Sequence, residues 1–410
     1  MKQHLQKSIF SFIIALLFTT TISAQGWWFR RTDCNLTPRT AAVGFSVGTA
    51  GFIGTGYDSS TYKRNFSLYN QGTNLWNSVT SLGGSTGSGL GRDAATCFTI
   101  GTKGYVGLGQ SSIPYNIDFW EYDAGSDTWT QKANFGGSPR RSAAGFSLNS
   151  KGYITCGQDA TGFKNDLWMY DPATNTWAAR AAYPGTARRL AVAFVVGSKA
   201  YVGTGDDGTF KNDFFKYDAT ANSWTGAPAF GGTPRYGATC FVIGTDAYVG
   251  TGYDNTLSNR KDFWKYNSVA NTWSAVKDFS GTSRSNAIGF TIGSFGYVGT
   301  GYDSLPTKDF WMYDPNSTGV EELNKFKSSV KIYPNPMVDN ATISFDPESL
   351  NAFDKISFEL YDISGREVKH IERIESSETQ FGRDYLGNGI YIYKFTGDNT
   401  VLASGKIILE

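Results

Sequence analysis

Histidine is almost absent from this chain of 410 residues, which contains only His4 and His370. Imidazole is the usual ligand of copper sites, a common ligand of catalytic zinc and the base of Ser-His-Asp triads. Because no histidine lies between these two positions, the sequence argues against copper oxidases, histidine-based zinc sites and triad hydrolases in the central part of the chain. We therefore expect no metal and no cofactor there.

Glutamate is nearly as scarce, since Glu121 is the only one between residues 25 and 316. Aspartate is plentiful, but it recurs at fixed positions of a repeat, which is typical of turns and strand ends. The two recurring sets are Asp118, Asp166, Asp213, Asp262 and Asp309, and Asp123, Asp171, Asp218 and Asp314. A glycosidase needs a pair of carboxyl groups across its substrate. We therefore expect no catalytic residues, and the sequence leans against an enzyme.

An excess of either charge is also lacking, because 37 basic side chains are balanced by 36 acidic ones. This balance gives no general attraction to nucleic acid or to an anionic membrane surface. We expect neither of these as a partner.

The one long apolar run, Ile9 to Phe18, follows Lys2 and Lys7 near the start of the chain. Basic residues, then apolar residues, then a small residue (Ala24) form the pattern of a signal peptide. The run is too short for a transmembrane helix, which needs about 20 apolar residues. We predict a signal peptide at residues 1–24 and no membrane span after its removal.

Glycine (48 residues) and aromatic side chains (15%) are abundant, and both recur in a unit that is repeated six times. Each unit begins with an arginine and continues with an alanine, a phenylalanine, an aromatic-apolar-Gly-Thr-Gly segment, a strand like Leu167–Asp171 and a strand that opens on tryptophan. The arginines are Arg39, Arg92, Arg140, Arg188, Arg235 and Arg284. Four short strands per unit and a period near 50 residues predict one propeller blade per unit.

The sixth unit has no fourth strand, because the chain loses the pattern after Asn316 without a tryptophan. The missing strand lies at the other end, where Trp28 precedes Arg39 by the interval that separates Trp177 from Arg188. An N-terminal strand is therefore expected to complete the last blade and close the ring, which removes the open sheet edges of an unclosed array.

Residues 26–316 resemble the Kelch family, whose units carry a strand ending in glycines, a tyrosine, and a tryptophan one strand later. One departure is that the usual Gly-Gly doublet is Gly-Thr-Gly here, as at Gly203–Gly205. The resemblance implies an all-β fold, a six-bladed Kelch-type β-propeller over residues 25–316.

Four cysteines in an exported protein raise the question of disulfides. Cys97 and Cys240 occupy one repeat position, at which other units have Gly44, Ala193 or Gly289. A small residue is needed there, and cysteine serves as a small apolar side chain. Cys97 and Cys240 lie three repeats apart, too far for a disulfide between them, so we predict four free thiols.

A polar stretch at residues 317–329 is predicted to be a linker, and residues 330–410 show the alternation of strands in a small C-terminal β-sandwich. Three segments, Tyr333–Pro336, Leu360–Val368 and Leu386–Tyr391, resemble the C-terminal sorting domain of the type IX secretion system. This resemblance implies that the secretion machinery is a partner and that the chain crosses the outer membrane, to be released or attached to the cell surface. An ordinary accessory sandwich, such as a sugar-binding domain, is the alternative.

The candidate ligand-binding residues are the six repeat arginines together with Arg141 and Arg189, which form doublets with Arg140 and Arg188. Arginines at the start of the innermost strands would ring one mouth of the central channel, where planar donors suit carboxylates. Alternatively, each arginine bonds a loop within the repeat. The doublets break the repeat symmetry, as a specific ligand site must.

Three functions remain open from the sequence. The favoured one is a secreted or surface-exposed binding and scaffold protein, monomeric, that holds a glycan or polypeptide. The rival is a sugar mutarotase or epimerase, because the sialic-acid mutarotase family shares a six-bladed Kelch propeller with an arginine-lined pocket; here only Glu121 could supply its glutamate. The third is a purely structural surface protein.

Overall fold

The computed structural model describes residues 26–84, 89–317, 330–345, 355–397 and 400–410. Within these ranges every regular element is a β-strand, which confirms the predicted all-β class. The chain divides into two compact units, Met1–Gly319 and Val320–Glu410. The predicted signal peptide and nearly all of the predicted linker lie outside the described residues and stay predictions.

The first unit contains six four-stranded antiparallel sheets, one for each repeat, numbered here as blades I to VI in chain order. The first strands are Val43–Val47, Thr96–Ile100, Ala144–Leu148, Val192–Val196, Thr239–Ile243 and Ile288–Ile292. The second strands are Ala50–Gly54, Lys103–Gly107, Lys151–Thr155, Lys199–Gly203, Asp246–Gly250 and Phe295–Gly299. The third strands are Phe66–Asn70, Phe119–Asp123, Leu167–Asp171, Phe214–Asp218, Phe263–Asn267 and Phe310–Asp314. The outermost strands are Leu75–Val79, Thr128–Lys132, Thr176–Arg180, Ser223–Ala227, Thr272–Val276 and, for blade VI, Trp27–Arg31.

Contacts between the first strands show how the blades are arranged. Each first strand touches those of both neighbouring blades, and the circuit closes from blade VI back to blade I. The first strands are therefore innermost, around a central channel, as in a six-bladed β-propeller. Two short ribbons decorate it, Gln158–Asp159 with Gly162–Phe163 and Arg235–Tyr236 with Tyr253–Asp254.

Aromatic rings packed on glycines explain why both residue types recur. The ring of Phe45 in blade I lies against Gly104 of blade II, where an added Cβ would come within 2.3 Å of it. Phe98 covers Gly152 in the same way, at 2.2 Å. A side chain on these glycines would push neighbouring blades apart, because interiors are packed without spare volume.

A tryptophan on each outermost strand ties its blade to the preceding one. In all six blades its indole N–H donates to the carbonyl of the first residue after the preceding blade's outermost strand, over 2.8–3.2 Å. For the tryptophans of blades I to IV, the residue that accepts from the indole also donates its own N–H to an Asn or Asp side chain in the tryptophan's blade. At the blade V junction the residue is Pro228, which has no N–H to donate, so there the tryptophan bond is not accompanied by this second bond.

The N-terminal strand closes the ring, as predicted. Trp27–Arg31 pairs antiparallel with Phe310–Asp314, so Trp28 faces Tyr313. The Trp28 side chain is 2% exposed and packs against the rings of Phe241, Phe263 and Phe279. Its indole N–H donates to Lys277 in blade V, the same contact that the other five tryptophans make.

A second closure is made by backbone alone. Just before each innermost strand, one residue donates its N–H to the carbonyl of the equivalent residue in the preceding blade, and the sixth such bond completes a circle. The six residues are Ala41, Ala94, Ser142, Leu190, Gly237 and Asn286. All six have left-handed backbone, with φ between 49° and 59°. We call this circle the backbone ring; it marks one end of the channel.

The four cysteines are free, which confirms the prediction from the repeat. Cys97 and Cys240 lie on innermost strands, and each donates its S–H to a carbonyl of the preceding blade, at Gly44 and Ala193 respectively. Burial raises the pKa of Cys34 to about 11 and that of the other three thiols to about 12.

These thiols should be inert in the folded protein. Only the thiolate reacts with disulfide reagents, and at pH 8 the raised pKa values keep all four protonated. Titration with an aromatic disulfide should therefore find almost no thiol in the native protein and four after unfolding in guanidinium. Two or fewer thiols in the unfolded, unreduced protein would show that disulfides form.

The second unit contains two antiparallel sheets. One has Val330–Tyr333, Asn340–Phe345 and Glu378–Gly382; the other has Ile356–Tyr361, Glu367–Ile371, Gly389–Gly397 and Thr400–Leu409. Both sheets contribute to one apolar core, in which the rings of Phe345, Phe358, Phe381 and Phe395 are in contact. This is the predicted small β-sandwich.

Residues in or near the segments that resemble a sorting domain form hydrogen bonds to the end of the last strand. Asn335, within Tyr333–Pro336, donates to the carbonyl of Lys406 and accepts from the N–H of Ile408. Arg383 donates to the carbonyl of Leu386 and to the backbone oxygen of Glu410. Asn335 therefore holds one edge of the C-terminal strand, and Arg383 holds the residue that follows it.

Candidate functional site

The six arginines that begin the repeats are buried, each with at most 1% of its surface exposed. In every blade Nη1 donates to the carbonyl of the middle residue of the Gly-Thr-Gly segment, over 2.8–3.1 Å. Those middle residues have φ between 55° and 63°, a conformation that costs energy for any residue other than glycine. The arginines therefore stabilise a strained turn that the repeat uses six times.

An aspartate completes this arrangement in blades II to VI. In blade V, Arg235 donates from both terminal nitrogens to Asp262, at 2.7 and 2.9 Å, and Trp264 donates to the same carboxylate. Burial raises the pKa of Asp262, but the hydrogen bonds and charge of Arg235 outweigh it, so this pKa lies below its usual value. In blade I the aspartate is replaced by Asn65, and burial lowers the pKa of Arg39 to about 10.

The expectation that these six side chains ring an open mouth is corrected by their burial. Their donors are directed into the blades, to backbone carbonyls and carboxylates, and do not reach a ligand in the channel. The corrected residues are Arg39, Arg92, Arg140, Arg188, Arg235 and Arg284. The alternative, in which each arginine bonds a loop of the repeat, describes what the structure shows.

Arg141 and Arg189 are placed differently, because each is the residue between a buried arginine and the backbone ring. At this position every blade has a cross-strand backbone pair, and we call these six pairs the channel mouth. They are Thr40–Tyr57, Asp93–Gln110, Arg141–Gln158, Arg189–Asp206, Tyr236–Tyr253 and Ser285–Tyr302. The residue types differ from blade to blade, so here the repeat loses its symmetry.

A hydrogen-bonded network crosses the mouth from blade I to blade IV. Arg141 donates to the side-chain oxygens of Gln110 and Gln158. The Gln158 oxygen also accepts from Arg189 at 2.8 Å. Arg189 is 30% exposed and forms an ion pair with Asp206 at 3.1 Å. One shared acceptor, the Gln158 side-chain oxygen, thus joins the two guanidinium groups.

Aromatic rings flank this network. Phe210, Tyr236 and Tyr253 form a cluster beside Arg189 and Asp206, with ring centroids 5.0–6.2 Å apart. On the other flank, Tyr57 and Tyr62 are in contact at 5.2 Å, and the hydroxyl of Tyr62 accepts from Gln110. The mouth therefore combines fixed cationic donors with apolar ring surfaces, the usual components of a small-ligand site.

Asp93 is the titratable residue of the mouth with the most unusual environment. Burial raises the pKa of its carboxyl to about 6, and the charge of Arg141 offsets this only in part. Its Oδ1 is buried and has no hydrogen-bond partner within the described ranges. Perturbed carboxyl groups of this kind are found preferentially at functional sites.

Glu121, the one glutamate considered for chemistry, is not at the mouth. It lies on the third strand of blade II, where it accepts from Tyr105 at 2.6 Å and pairs with Lys132 at 3.2 Å. Gln110, Gln158, Asp206 and Asp93 were not predicted from the sequence. They lie at two repeat positions where the residue type varies around the ring, in contrast to the recurrence by which the arginines were selected.

In the part of the chain that the structure describes, no group of three or more His, Cys, Asp or Glu side chains is placed to hold a metal ion. The same residues include no helix long and apolar enough to cross a bilayer.

Comparison with known proteins supports both units. The family described as "Secretion system C-terminal sorting domain" matches residues 331–410. A solved structure titled "Structure of YjhT" is similar at a TM-score of 0.56 and 16% identity, over 68% of this chain and 95% of that chain. At this identity the likeness shows the fold alone. No curated protein matches the chain.

The sorting domain also shows where the protein goes and which machinery it meets. Proteins with this domain are exported by type IX secretion to the cell surface or the extracellular space, so the secretion machinery is a partner of residues 331–410. The chain is thus a six-bladed β-propeller followed by a C-terminal sorting domain of the type IX secretion system.

Proposed function

We propose that the propeller is a binding module, delivered to the cell surface or released, that holds a carboxylate-bearing glycan or polypeptide at the channel mouth. The observation that carries the proposal is the pair of guanidinium groups, Arg141 and Arg189, joined through Gln158. A planar guanidinium binds a carboxylate through two parallel hydrogen bonds. Two of them, oriented in advance, lose little entropy when a ligand binds.

The asymmetry of the mouth supports this proposal. Blades III and IV supply the two arginines, whereas blade V supplies Tyr236 and Tyr253 at the equivalent positions. A cationic half beside an aromatic half suits a ligand with a charged group on one side and an apolar face on the other. The buried repeat arginines stabilise the turns that support the mouth. The residues that follow them, such as Arg141 and Arg189, contact the ligand.

The test is a substitution of Arg189 measured against an array of acidic and neutral oligosaccharides and acidic peptides. Arg189→Ala should weaken binding of the acidic ligand by about tenfold or more, because a hydrogen bond to a charged group contributes about 1.5–3 kcal/mol. Arg180→Ala is the matched control, since Arg180 lies on an outermost strand and contacts Met169. Equal affinity in both variants would contradict the proposal.

The rival function, a mutarotase or epimerase, is favoured by one observation. Asp93 has a pKa of about 6, in the range that suits a general acid or base near neutral pH. In that case anomer exchange measured by polarimetry would disappear in Asp93→Asn and persist in Glu121→Gln. If the protein binds a glycan without turning it over, it is a binding module. If it neither binds nor turns over a glycan, its role is purely structural.

We also propose the following, as expected from the sequence. The chain divides into a signal peptide (1–24), a propeller (25–316), a linker (317–329) and a sorting domain (330–410); the repeats are of the Kelch type; and the protein is a monomer. Gel filtration of the exported protein tests the last of these.

A further inference from the structure

We infer that the channel mouth contains a hydroxyl-binding subsite formed by Thr40, Asp93 and Arg141, so that its ligand is a glycan and not a polypeptide. This inference rests on the proposed function and narrows it. The subsite occupies three consecutive blades at one repeat position.

The backbone ring places the three residues next to each other. Each is followed directly by a ring residue, and the N–H of Ala94 donates to Ala41 while that of Ser142 donates to Ala94, at 2.9 and 2.8 Å. Arg141 also reaches back toward blade II, where it donates to Gln110, the cross-strand partner of Asp93. The three residues therefore lie on adjacent blades at the same end of the channel.

Each of the three side chains has a buried polar atom that no described residue satisfies. These atoms are Thr40 Oγ1, Asp93 Oδ1 and Arg141 Nε. Nearly all buried polar atoms in native proteins have a partner, and one left without a partner costs the whole penalty of removing it from water. Three of them on adjacent blades indicate a surface built to be completed by another molecule.

The chemistry of these atoms fits hydroxyl groups. The carboxylate of Asp93 only accepts a hydrogen bond, and Arg141 Nε only donates one, whereas a hydroxyl does both from a single oxygen. A sugar hydroxyl can therefore accept from Arg141 while it donates to Asp93, and a neighbouring hydroxyl can bond Thr40. A peptide group separates its donor from its acceptor and cannot meet both needs with one atom.

An apolar wall beside these atoms supports a sugar ring. Tyr57 is the cross-strand partner of Thr40, and its ring contacts that of Tyr62. The C–H face of a pyranose can pack on such rings while its hydroxyls reach the three polar atoms. Beyond this subsite, Arg189 lies farther along the mouth and is placed to bind a carboxylate on the same glycan.

The experiment uses the complete secreted protein with two kinds of probe, an array of uronic-acid oligosaccharides and poly-L-glutamate of similar length. Asp93→Asn should weaken binding of the best oligosaccharide by about tenfold or more and leave poly-L-glutamate binding unchanged. Thr40→Val, which keeps the side-chain shape and removes the hydroxyl, should weaken the oligosaccharide alone by a smaller factor. Arg189→Ala should weaken both probes.

A stability measurement separates lost binding from lost folding. Burial raises the folded-state pKa of Asp93 from 3.8 to about 6, and the charge of Arg141 offsets this only in part. Ionisation of Asp93 therefore lowers the stability of the folded protein as pH rises from about 4 to about 6, and the loss stays constant above that range. Asp93→Asn should melt at a higher temperature than the wild type at pH 7.5, with a smaller difference at pH 5.

The possible failures are distinguishable. If Asp93→Asn and Thr40→Val bind the oligosaccharide as tightly as the wild type, the subsite is wrong. If poly-L-glutamate binds as well as any oligosaccharide and only Arg189→Ala matters, the subsite is wrong and the proposed function stands. Binding of neither probe by the wild type would overturn both.

Discussion

Removing residues 26–38 from the exported chain should lower its melting temperature by about 10 °C or more. These residues include the outermost strand of blade VI, and without them Phe310–Asp314 is left as an open edge beside blade V. Loss of Trp28 alone, packed against four rings, should cost about 3–5 kcal/mol. About 2–4 °C is expected for each kcal/mol in a protein of this size class. Thermal unfolding followed by circular dichroism measures the change.

Two substitutions on the same strand provide the control. Trp28→Ala removes a side chain buried between blades V and VI, whereas Trp27→Ala removes its partly buried neighbour, whose ring contacts Lys277. The first should be strongly destabilising and the second nearly neutral. If the truncated protein melts like the intact one, the strand does not close the ring.

Arg235→Met should destabilise the propeller by about 3–5 kcal/mol, because it leaves Asp262 with no cationic partner and the Thr251 carbonyl without its donor. Arg39→Met should cost less. Its side-chain partner is the neutral Asn65, so no uncompensated charge stays behind. Guanidinium unfolding of the two variants compares the same substitution at equivalent, fully buried positions.

The reverse change completes this comparison. Asn65→Asp gives blade I the ion pair that blades II to VI have, and should stabilise the protein near neutral pH. The gain should vanish in the Arg39→Met background, as a double-mutant cycle would show. Equal costs for Arg39→Met and Arg235→Met would mean that the aspartates add nothing to the arginine's bonds with backbone.

The architecture could be predicted from the sequence because every blade packs against its neighbours through the same contacts. Phe45 and its counterparts must cover a small residue of the next blade, which is glycine in four blades and Ala200 or Ala247 in the other two. Each tryptophan must reach the end of the preceding blade. Both requirements leave residues at fixed spacing. The closing strand could be predicted too, since Trp28 precedes Arg39 by the same interval as Trp177 precedes Arg188.

The site could be predicted only in part. Arg188 and its equivalents were selected because they recur in every repeat. Recurrence does not show where a side chain points, and in the folded protein all six point into the blades, away from the channel. The doublets pointed to Arg141 and Arg189, which do lie at the mouth. Gln158 and Asp206 were missed because their partnership with the arginines depends on a cross-strand pairing that only the folded blade creates.

The backbone ring has a consequence for how such a protein changes. Its six bonds involve only main-chain atoms, and Ala41, Leu190 and Asn286 serve equally well in it. Substitution of the adjacent residues, such as Thr40 or Tyr236, therefore leaves this closure intact. Recognition can diversify at those positions while the scaffold stays constant, so a library randomised there, with the ring and the buried arginines retained, should yield folded propellers with new ligands.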